Sequence, residues 1–471
     1  MNAALAIARL TFWEAVRMRI VLVFILVLAF LLLLMPGALR GDDTVTGRLQ
    51  TFLSYSLSAV TIFLGVATVF LSCATLSNEL RYNQIHLVLT KPVARFQVLL
   101  GKWLGVMALN FVLVMLCAIS IYAFARLIKA QKVGFERDRI NLNDVIWTAR
   151  AAAQPIKPED EWRQRAAQEV IDLAKSGAIA ETGVKAADEA MRANAFKERM
   201  NQAENDWRMI ADGQYRDFRF ERLIPPGSDD EAMQIRFKAR GLPLPLMEIL
   251  YCQWEFVDPT TGYPITPAIV TEERAAQRHQ FLIRGKQLIK DGKAVLRVTN
   301  PLSPNDPVKI FFADNNSLEI LYKVDTFEAN FVRAVALIFL QLAFLAAMGL
   351  FFSTFVSFPV ACLCTFTVYL IGVAHPFWME SIGANMQMFD ADVDPYGRFG
   401  PFVRQYFLVP FLYVFPDFVA FSGGGKLVDG EVISYSLLGQ GFGRMLAFSG
   451  VVLLTVGWFI FSRREIAAVQ V

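Results

Sequence analysis

Long uncharged runs alternate with strongly charged stretches along this chain, and the runs predict membrane-spanning helices. Between positions 19 and 40 there is no charged residue, which leaves enough chain for one span of about 20 residues. Two further uncharged runs predict a second span near 55–76 and a third at 103–125. The first quarter of the chain is therefore expected to cross a membrane three times.

The last third of the chain repeats this pattern. The run 334–379 lacks Asp, Glu, Lys and Arg, and Ser357 and Pro359 interrupt it midway, so it predicts two spans joined by a tight turn. A sixth span is expected at 445–462. The segment 400–422 is apolar but carries Arg404, Pro410, Pro416 and Asp417, which favours a re-entrant or interfacial hairpin over a full crossing.

The middle of the chain, 126–330, has dense and nearly balanced charges and no apolar run of membrane length. In 141–212 apolar residues recur every three to five positions, which predicts helices, and Gly177 and Gly183 indicate a turn between two of them. In 214–327 short segments of alternating apolar and polar residues are separated by turn residues, which is typical of a β-sandwich. This region is expected to be a water-exposed α+β domain.

Composition agrees with a polytopic membrane protein, since 55% of the residues are hydrophobic, 19% are charged and the mean hydropathy is +0.40. The predicted architecture is six transmembrane helices in two groups, 1–125 and 331–471, separated by the α+β domain at 126–330. Within the first group, 1–19 predicts an amphipathic helix on the membrane surface, although a charged flank of the first span is the alternative.

The distribution of positive charge predicts the orientation. Basic residues concentrate at both termini and in the loop 77–98, so the positive-inside rule makes these parts cytoplasmic and the domain 126–330 extracytoplasmic. Counting 400–422 as a seventh span would export Arg463 and Arg464, which disfavours that alternative.

The loop 77–98 interleaves charged and apolar residues, a pattern that predicts a short interfacial helix able to dock onto a soluble partner. A basic loop that only lies against the membrane is the simpler alternative. The candidate coupling residues in this loop are Glu79, Arg81, Leu87, Leu89, Lys91, Pro92 and Arg95.

In this loop the chain resembles the permease subunits of type 2 ABC exporters, and the resemblance extends over roughly 1–126 and 331–471. It implies a bacterial plasma-membrane location, a second permease subunit, identical or paralogous, and two ATPase subunits that carry ATP and Mg and receive the loop in a cleft. The residues that match the family pattern are Glu79, Leu87–Leu89, Thr90, Lys91, Pro92, Arg95, Gly101 and Lys102.

The chain itself carries no recognisable energy source or catalytic group. Gly101-Lys102 is not part of a phosphate-binding loop, because Phe96 stands where that loop needs a glycine and Trp103 where it needs a hydroxyl residue. We therefore expect no enzyme activity and no cofactor in this chain. The net charge of +3 also gives no reason to expect a nucleic-acid partner.

A few polar and aromatic residues outside the loop are further candidates. Gln341 lies in the middle of the fourth predicted span, where it is expected to hydrogen-bond across helices, with a contact to substrate as the less favoured interpretation. Arg333, near the end of the same span, is expected to extend to lipid headgroups. In the middle domain Trp254, Phe256 and Tyr263 are either strand core or a platform for a carbohydrate.

The favoured function is a permease subunit that exports or extracts a hydrophobic or lipid-linked substrate, in contact with membrane lipid. The insertion at 126–330 departs from the family, where this loop is usually short, and suggests contact with an envelope protein, a glycan or the substrate. One alternative is an ATPase-coupled membrane scaffold that transmits force to an extracytoplasmic assembly without moving solute. Another is a membrane-anchored enzyme or sensor whose active part is the middle domain.

Overall fold

The computed structural model divides the chain into two compact units. We call Met1–Ala149 together with Asp325–Val471 the helical unit, and Arg150–Val324 the middle unit. The residues that the structure describes are 2–38, 44–81, 93–131, 134–176, 185–228, 231–243, 248–302, 307–388, 406 and 417–463.

The helical unit begins with two helices that meet at a sharp bend of 64°. The third and fourth helices extend beyond the predicted spans 55–76 and 103–125, because helical backbone continues into the polar residues at the ends of each apolar run. The elements are α1 (Asn2–Arg17), α2 (Arg19–Ala38), α3 (Val45–Arg81), α4 (Arg95–Lys129) and α5 (Glu136–Ile140), which continues as a π-helical turn at Asn141–Ile146.

Helix α1 lies directly against α4, and two glycines of α4 make this close approach possible. A Cβ atom added to Gly101 would stand 2.7 Å from the carbonyl oxygen of Ala4, and one added to Gly105 would stand 2.6 Å from that of Ala8. The two glycines are four residues apart and so lie on one face of α4, as in the small-residue packing of membrane helices.

The middle unit starts with a strand where the sequence predicted helix. The helical prediction over 141–212 was wrong for β1 (Thr148–Ala153), which lies beside β11 (Leu318–Thr326) in a sheet. Its alanine-rich sequence favours a helix locally, but pairing with a strand far along the chain outweighs that preference. The two predicted helices then follow as α6 (Glu159–Lys175) and α7 (Lys185–Arg208).

The rest of the middle unit consists of antiparallel strands that share one hydrophobic core. Trp254 illustrates how two sheets meet, because its ring lies 4.5 Å from that of Phe237 and 5.5 Å from that of Phe281, both in another sheet. The strands after α7 are β2 (Met209–Ile210), β3 (Tyr215–Phe220), β4 (Ala232–Phe237), β5 (Arg240–Leu242), β6 (Ile249–Val257), β7 (Ile269–Arg274), β8 (His279–Arg284), β9 (Ala294–Thr299), β10 (Lys309–Phe311) and β11. Their orders in the three sheets are β1-β11-β4-β8, β2-β10-β5 and β3-β9-β6-β7.

Of the two interpretations of the aromatic residues in this unit, strand core is confirmed for Trp254 and Phe256 and the carbohydrate platform is wrong. Trp254 and Phe256 are each only 1% exposed and belong to the core, whereas Tyr263 is 75% exposed. Alternate residues of β6 point into the core, which is the ordinary arrangement for a strand with one buried face.

The chain returns to the helical unit after β11. The predicted break near Ser357 is confirmed, because one long helix ends at Ser353 and the next begins at Phe358. Of the predicted re-entrant segment 400–422, only Tyr406 and 417–422 lie within the described residues. The helices are α8 (Phe327–Ser353), α9 (Phe358–Met388), α10 (Gly423–Val428), α11 (Tyr435–Gly441) and α12 (Val451–Arg463), with π-helical turns at Phe442–Gly450 between the last two.

Five helices of the described chain are long and apolar enough to cross a membrane, and the bent pair α1–α2 would make a sixth. The mostly helical architecture with separate antiparallel sheets agrees at this level with the predicted multi-pass membrane protein. The last candidate span begins about ten residues before the predicted 445–462, because α11 continues into α12 through the π-helical turns. The five are Val45–Glu79, Arg95–Lys129, Phe327–Ser353, Phe358–Met379 and Tyr435–Arg463.

Candidate functional site

A buried ion pair joins the end of α3 to the beginning of α4. The ammonium nitrogen of Lys102 lies 2.7 Å from Oε1 of Glu79, and the two side chains are only 2% and 11% exposed. Lys102 also donates a hydrogen bond of 2.9 Å to the carbonyl oxygen of Thr75. A buried charge without a partner is strongly unfavourable, so each of the two charges requires the other.

A second polar contact ties the same two helices further along. The hydroxyl of Thr68 shares its single proton between two acceptors, the carbonyl oxygen of Leu64 in its own helix, at 2.6 Å, and Oδ1 of Asn110 on α4, at 3.1 Å. Both side chains are buried, where a hydrogen bond between apolar helices has no water to compete with. Helices α3 and α4, which precede and follow residues 82–92 in the sequence, are thus linked at two levels and form one helix pair.

Arg95, the first residue of α4, ties this helix pair to the last helix. Its Nη1 atom donates to the carbonyl oxygens of Phe461, at 2.6 Å, and Ser462, at 3.0 Å. The guanidinium carbon also lies 5.7 Å from the centre of the Phe461 ring. These carbonyls belong to the last turn of α12, which lacks partners within its own helix and attracts positive charge.

The structure describes three of the seven predicted coupling residues, Glu79, Arg81 and Arg95. Glu79 and Arg95 hold the helices that flank 82–92, and Arg81 is exposed at the end of α3. The role of Lys102 as the partner of Glu79 was missed, although an ammonium group within an apolar helix is itself a signal that an acidic partner is nearby. Leu87, Leu89, Lys91 and Pro92 lie outside the described residues.

A second polar cluster lies at the beginning of α8, around the buried side chain of Arg333, and it corrects the prediction for this residue. This side chain is 6% exposed, so it does not extend to headgroups. It pairs with Asp325 and donates to the hydroxyl of Tyr435 at 3.0 Å and the carbonyl of Ile433 at 3.4 Å. The backbone N–H of Thr326 and the Arg333 guanidinium together hold the pKa of Asp325 below its usual value.

Asn330, one turn before Arg333, should be the most sensitive neutral residue of this cluster. It is fully buried, donates to the carbonyl of Glu431 at 2.7 Å and accepts from the backbone N–H of Ile433 at 2.8 Å. We expect Asn330→Leu to cost about 1–3 kcal/mol in unfolding free energy and to speed hydrogen–deuterium exchange at 431–435. Thr367→Val, at an exposed hydroxyl of α9, should change neither quantity. Equal behaviour of the two variants would contradict this role.

Gln341 lies midway along α8 and is 3% exposed. Its Nε2 atom donates to the carbonyl oxygens of Phe418, at 3.0 Å, and Phe421, at 3.4 Å, so its partner is a turn and not a second helix. Residues 417–422 therefore reach the middle of an apolar helix.

A cavity of ≈ 200 Å³ lies beside this contact, between α3, α8, α9 and the turn at 417–422. Both apolar and hydroxyl-bearing side chains line it. The lining residues are Ser54, Leu57, Ser58, Thr61, Ile62, Ile338, Gln341, Tyr369, Val373, Phe418, Val419, Ser422, Gly424 and Gly425.

Comparison of this chain with protein-family models, with curated proteins and with solved structures found no match. Within the part of the chain that the structure describes, no group of three or more His, Cys, Asp or Glu side chains is arranged to hold a metal ion.

Proposed function

We propose that this chain is the permease subunit of an ATP-driven export system of the type 2 ABC kind, embedded in a bacterial plasma membrane through six spans. The length and apolar character of its helices support the embedding. The basic residues around 77–98 and at both termini support a cytoplasmic position for these parts, which leaves the middle unit outside. A separate ATPase subunit binds ATP and Mg, and a second permease subunit, identical or paralogous, completes the membrane part.

The linkage around 82–92 is the observation that carries this proposal. The Glu79–Lys102 ion pair joins the two helices that flank the segment, and Arg95 joins the second of them to α12. A partner that pushes on 82–92 would therefore move α3, α4 and α12 together instead of bending a loose loop. Rigid-body movement of linked helices is a common way to convert nucleotide hydrolysis into transport. The substrate class that fits the apolar surroundings is hydrophobic or lipid-linked.

The coupling role predicts the effect of Leu87→Asp on the partner. The tagged full-length protein is purified from its own membranes in mild detergent, and the ATPase activity that copurifies is measured. We expect Leu87→Asp to lower this activity at least about tenfold, because a charge in an apolar contact is costly. Leu302→Asp serves as the matched control, since this leucine is 72% exposed in the middle unit.

Two results would count against the proposal in different ways. Equal ATPase activity with both variants would show that the ATPase does not bind at 82–92. The ATPase would then have to bind another part of the chain. The absence of copurifying ATPase activity with the unmodified protein would contradict the export assignment itself.

The middle unit favours a second candidate, an ATPase-coupled scaffold. The 23 described residues of its hydrophobic core all belong to the middle unit, as expected for a separate module that binds an envelope protein or glycan. The two functions differ in one measurement. In vesicles that contain the complex, ATP-dependent movement of a lipid-linked substrate supports export, whereas ATP hydrolysis without movement supports the scaffold.

A further inference from the structure

The cavity beside Gln341 contains hydrogen-bonding groups that the protein does not use. The Tyr369 side chain is 7% exposed and lines the cavity, yet its hydroxyl has no hydrogen-bond partner among the described residues. Gln341 uses its nitrogen for the 417–422 turn, while its oxygen accepts no bond from any described residue. A donor and an acceptor are therefore available within one small space, where water or a ligand must satisfy them.

The hydroxyl groups of Ser54, Ser58, Thr61 and Ser422 add to this polar surface, while leucine, isoleucine, valine and phenylalanine side chains and two glycines form the rest. Ser54 and Ser58 stand four residues apart on α3 and are exposed along one face of this apolar helix. An apolar wall with a few convergent polar groups is the usual composition of a small-molecule site.

The lining residues include no Asp, Glu, Lys or Arg. A charged group placed here would lose its hydration without gaining a counterion, so the cavity favours an uncharged ligand. Its ≈ 200 Å³ is less than the roughly 300–1,000 Å³ of pockets that enclose a drug-sized molecule. The cavity therefore suits a small polar head whose apolar remainder stays outside.

We propose that this cavity binds the uncharged, hydroxyl- and ester-bearing glycerol portion of a neutral lipid such as a diacylglycerol. The Tyr369 hydroxyl donates to an ester carbonyl, the Gln341 oxygen accepts from the free hydroxyl, and the acyl chains lie along the apolar face of α3. The ligand has two possible sources, the surrounding bilayer or the exported substrate. The site does not depend on the proposed ATPase coupling, but a substrate at this site would identify the class of molecule that the exporter moves.

Photolabelling tests the proposal with the intact protein. The full-length chain is placed in phosphatidylcholine nanodiscs with a diacylglycerol that carries a photoreactive group next to its glycerol, and labelled peptides are identified by mass spectrometry. We expect labels in the peptides that contain Ser58 and Tyr369. Phosphatidic acid with the same acyl chains should not compete, because its phosphate is charged.

Two variants and one control make the result specific. Ser58→Leu fills the cavity and should lower labelling about tenfold, and Tyr369→Phe removes one hydrogen bond and should lower it about fivefold. Tyr369→Phe preserves the ring, so the fold is retained, which a melting curve verifies. Ser120→Leu, at a hydroxyl on α4 that bonds only Leu116 of its own helix, should leave labelling unchanged.

Labelling that is insensitive to Ser58→Leu, or equal competition by phosphatidic acid, would overturn the proposal. Lipids extracted from the purified protein identify the source of the ligand. Among the neutral lipids that copurify with the unmodified protein and not with Ser58→Leu, a composition equal to that of the membrane indicates a bilayer lipid, whereas one enriched species indicates cargo. Specific labelling without any copurifying ATPase activity would leave this site intact and contradict only the export function.

Discussion

Replacing Lys102 by Met will destabilise the helical unit by about 3–5 kcal/mol, the cost of leaving one partner of a buried ion pair without the other. Methionine fills nearly the same volume as the lysine stem, so the change removes charge without opening a large cavity. The carboxylate of Glu79 then stays between α3 and α4, with its side chain only 11% exposed and its ammonium partner gone. The bond from Lys102 to the carbonyl of Thr75 disappears as well.

Unfolding in mixed micelles of a mild and a denaturing detergent, followed by tryptophan fluorescence, measures this loss. Lys426→Met is the matched control, because Lys426 forms no ion pair with any residue that the structure describes. The double variant Glu79→Gln with Lys102→Met should recover much of the stability, since no unpaired charge remains. A single variant no less stable than the control would mean that the two charges are not buried together.

The long apolar helices were predictable because a bilayer sets the length of a helix that crosses it and excludes charge over that length. The break between α8 and α9 follows from the uncharged run of 334–379, which is too long for one crossing. The strand at Thr148–Ala153 was not predictable in the same way. Its identity as a strand depends on pairing with Leu318–Thr326, which stands more than 160 residues further along the chain. No local pattern contains that information.

In the candidate site, too, some features were predictable from local sequence and others depend on residues far along the chain. The pattern of the loop identified Glu79 and Arg95, but it predicted contact with a partner and did not predict that they would anchor helices. Glu79 and Lys102 are 23 positions apart, and they meet only because α3 and α4 pack side by side. For Arg333, closeness to the end of a predicted span suggested contact with lipid headgroups, whereas the fold buries this side chain and supplies the half-buried Asp325 as its partner. Charged residues near the ends of apolar runs can thus be singled out from sequence, while the groups that they contact depend on tertiary packing.

Substituting Gly105 by Leu will detach α1 from α4 and cost about 3 kcal/mol, at the upper end of the usual range for overpacking. The first side-chain carbon would stand 2.6 Å from the carbonyl oxygen of Ala8 and 2.7 Å from Cβ of Thr11. One of these atoms belongs to the backbone of α1, so no change of side-chain rotamer can relieve the contact. The only relief is for α1 to move away.

Trypsin digestion of the purified protein detects this movement. The arginines of α1 resist cleavage while the helix lies on α4, because the protease needs an extended backbone, and release of α1 should make Arg9 and Arg17 cleavable. Gly439→Leu is the matched control, since a Cβ atom at Gly439 meets no atom within 4 Å. The control should be neutral or slightly stabilising, because leucine favours helix over glycine by up to about 0.8 kcal/mol. If Gly105→Leu matches the control in both stability and protease resistance, then α1 does not depend on the glycine face of α4.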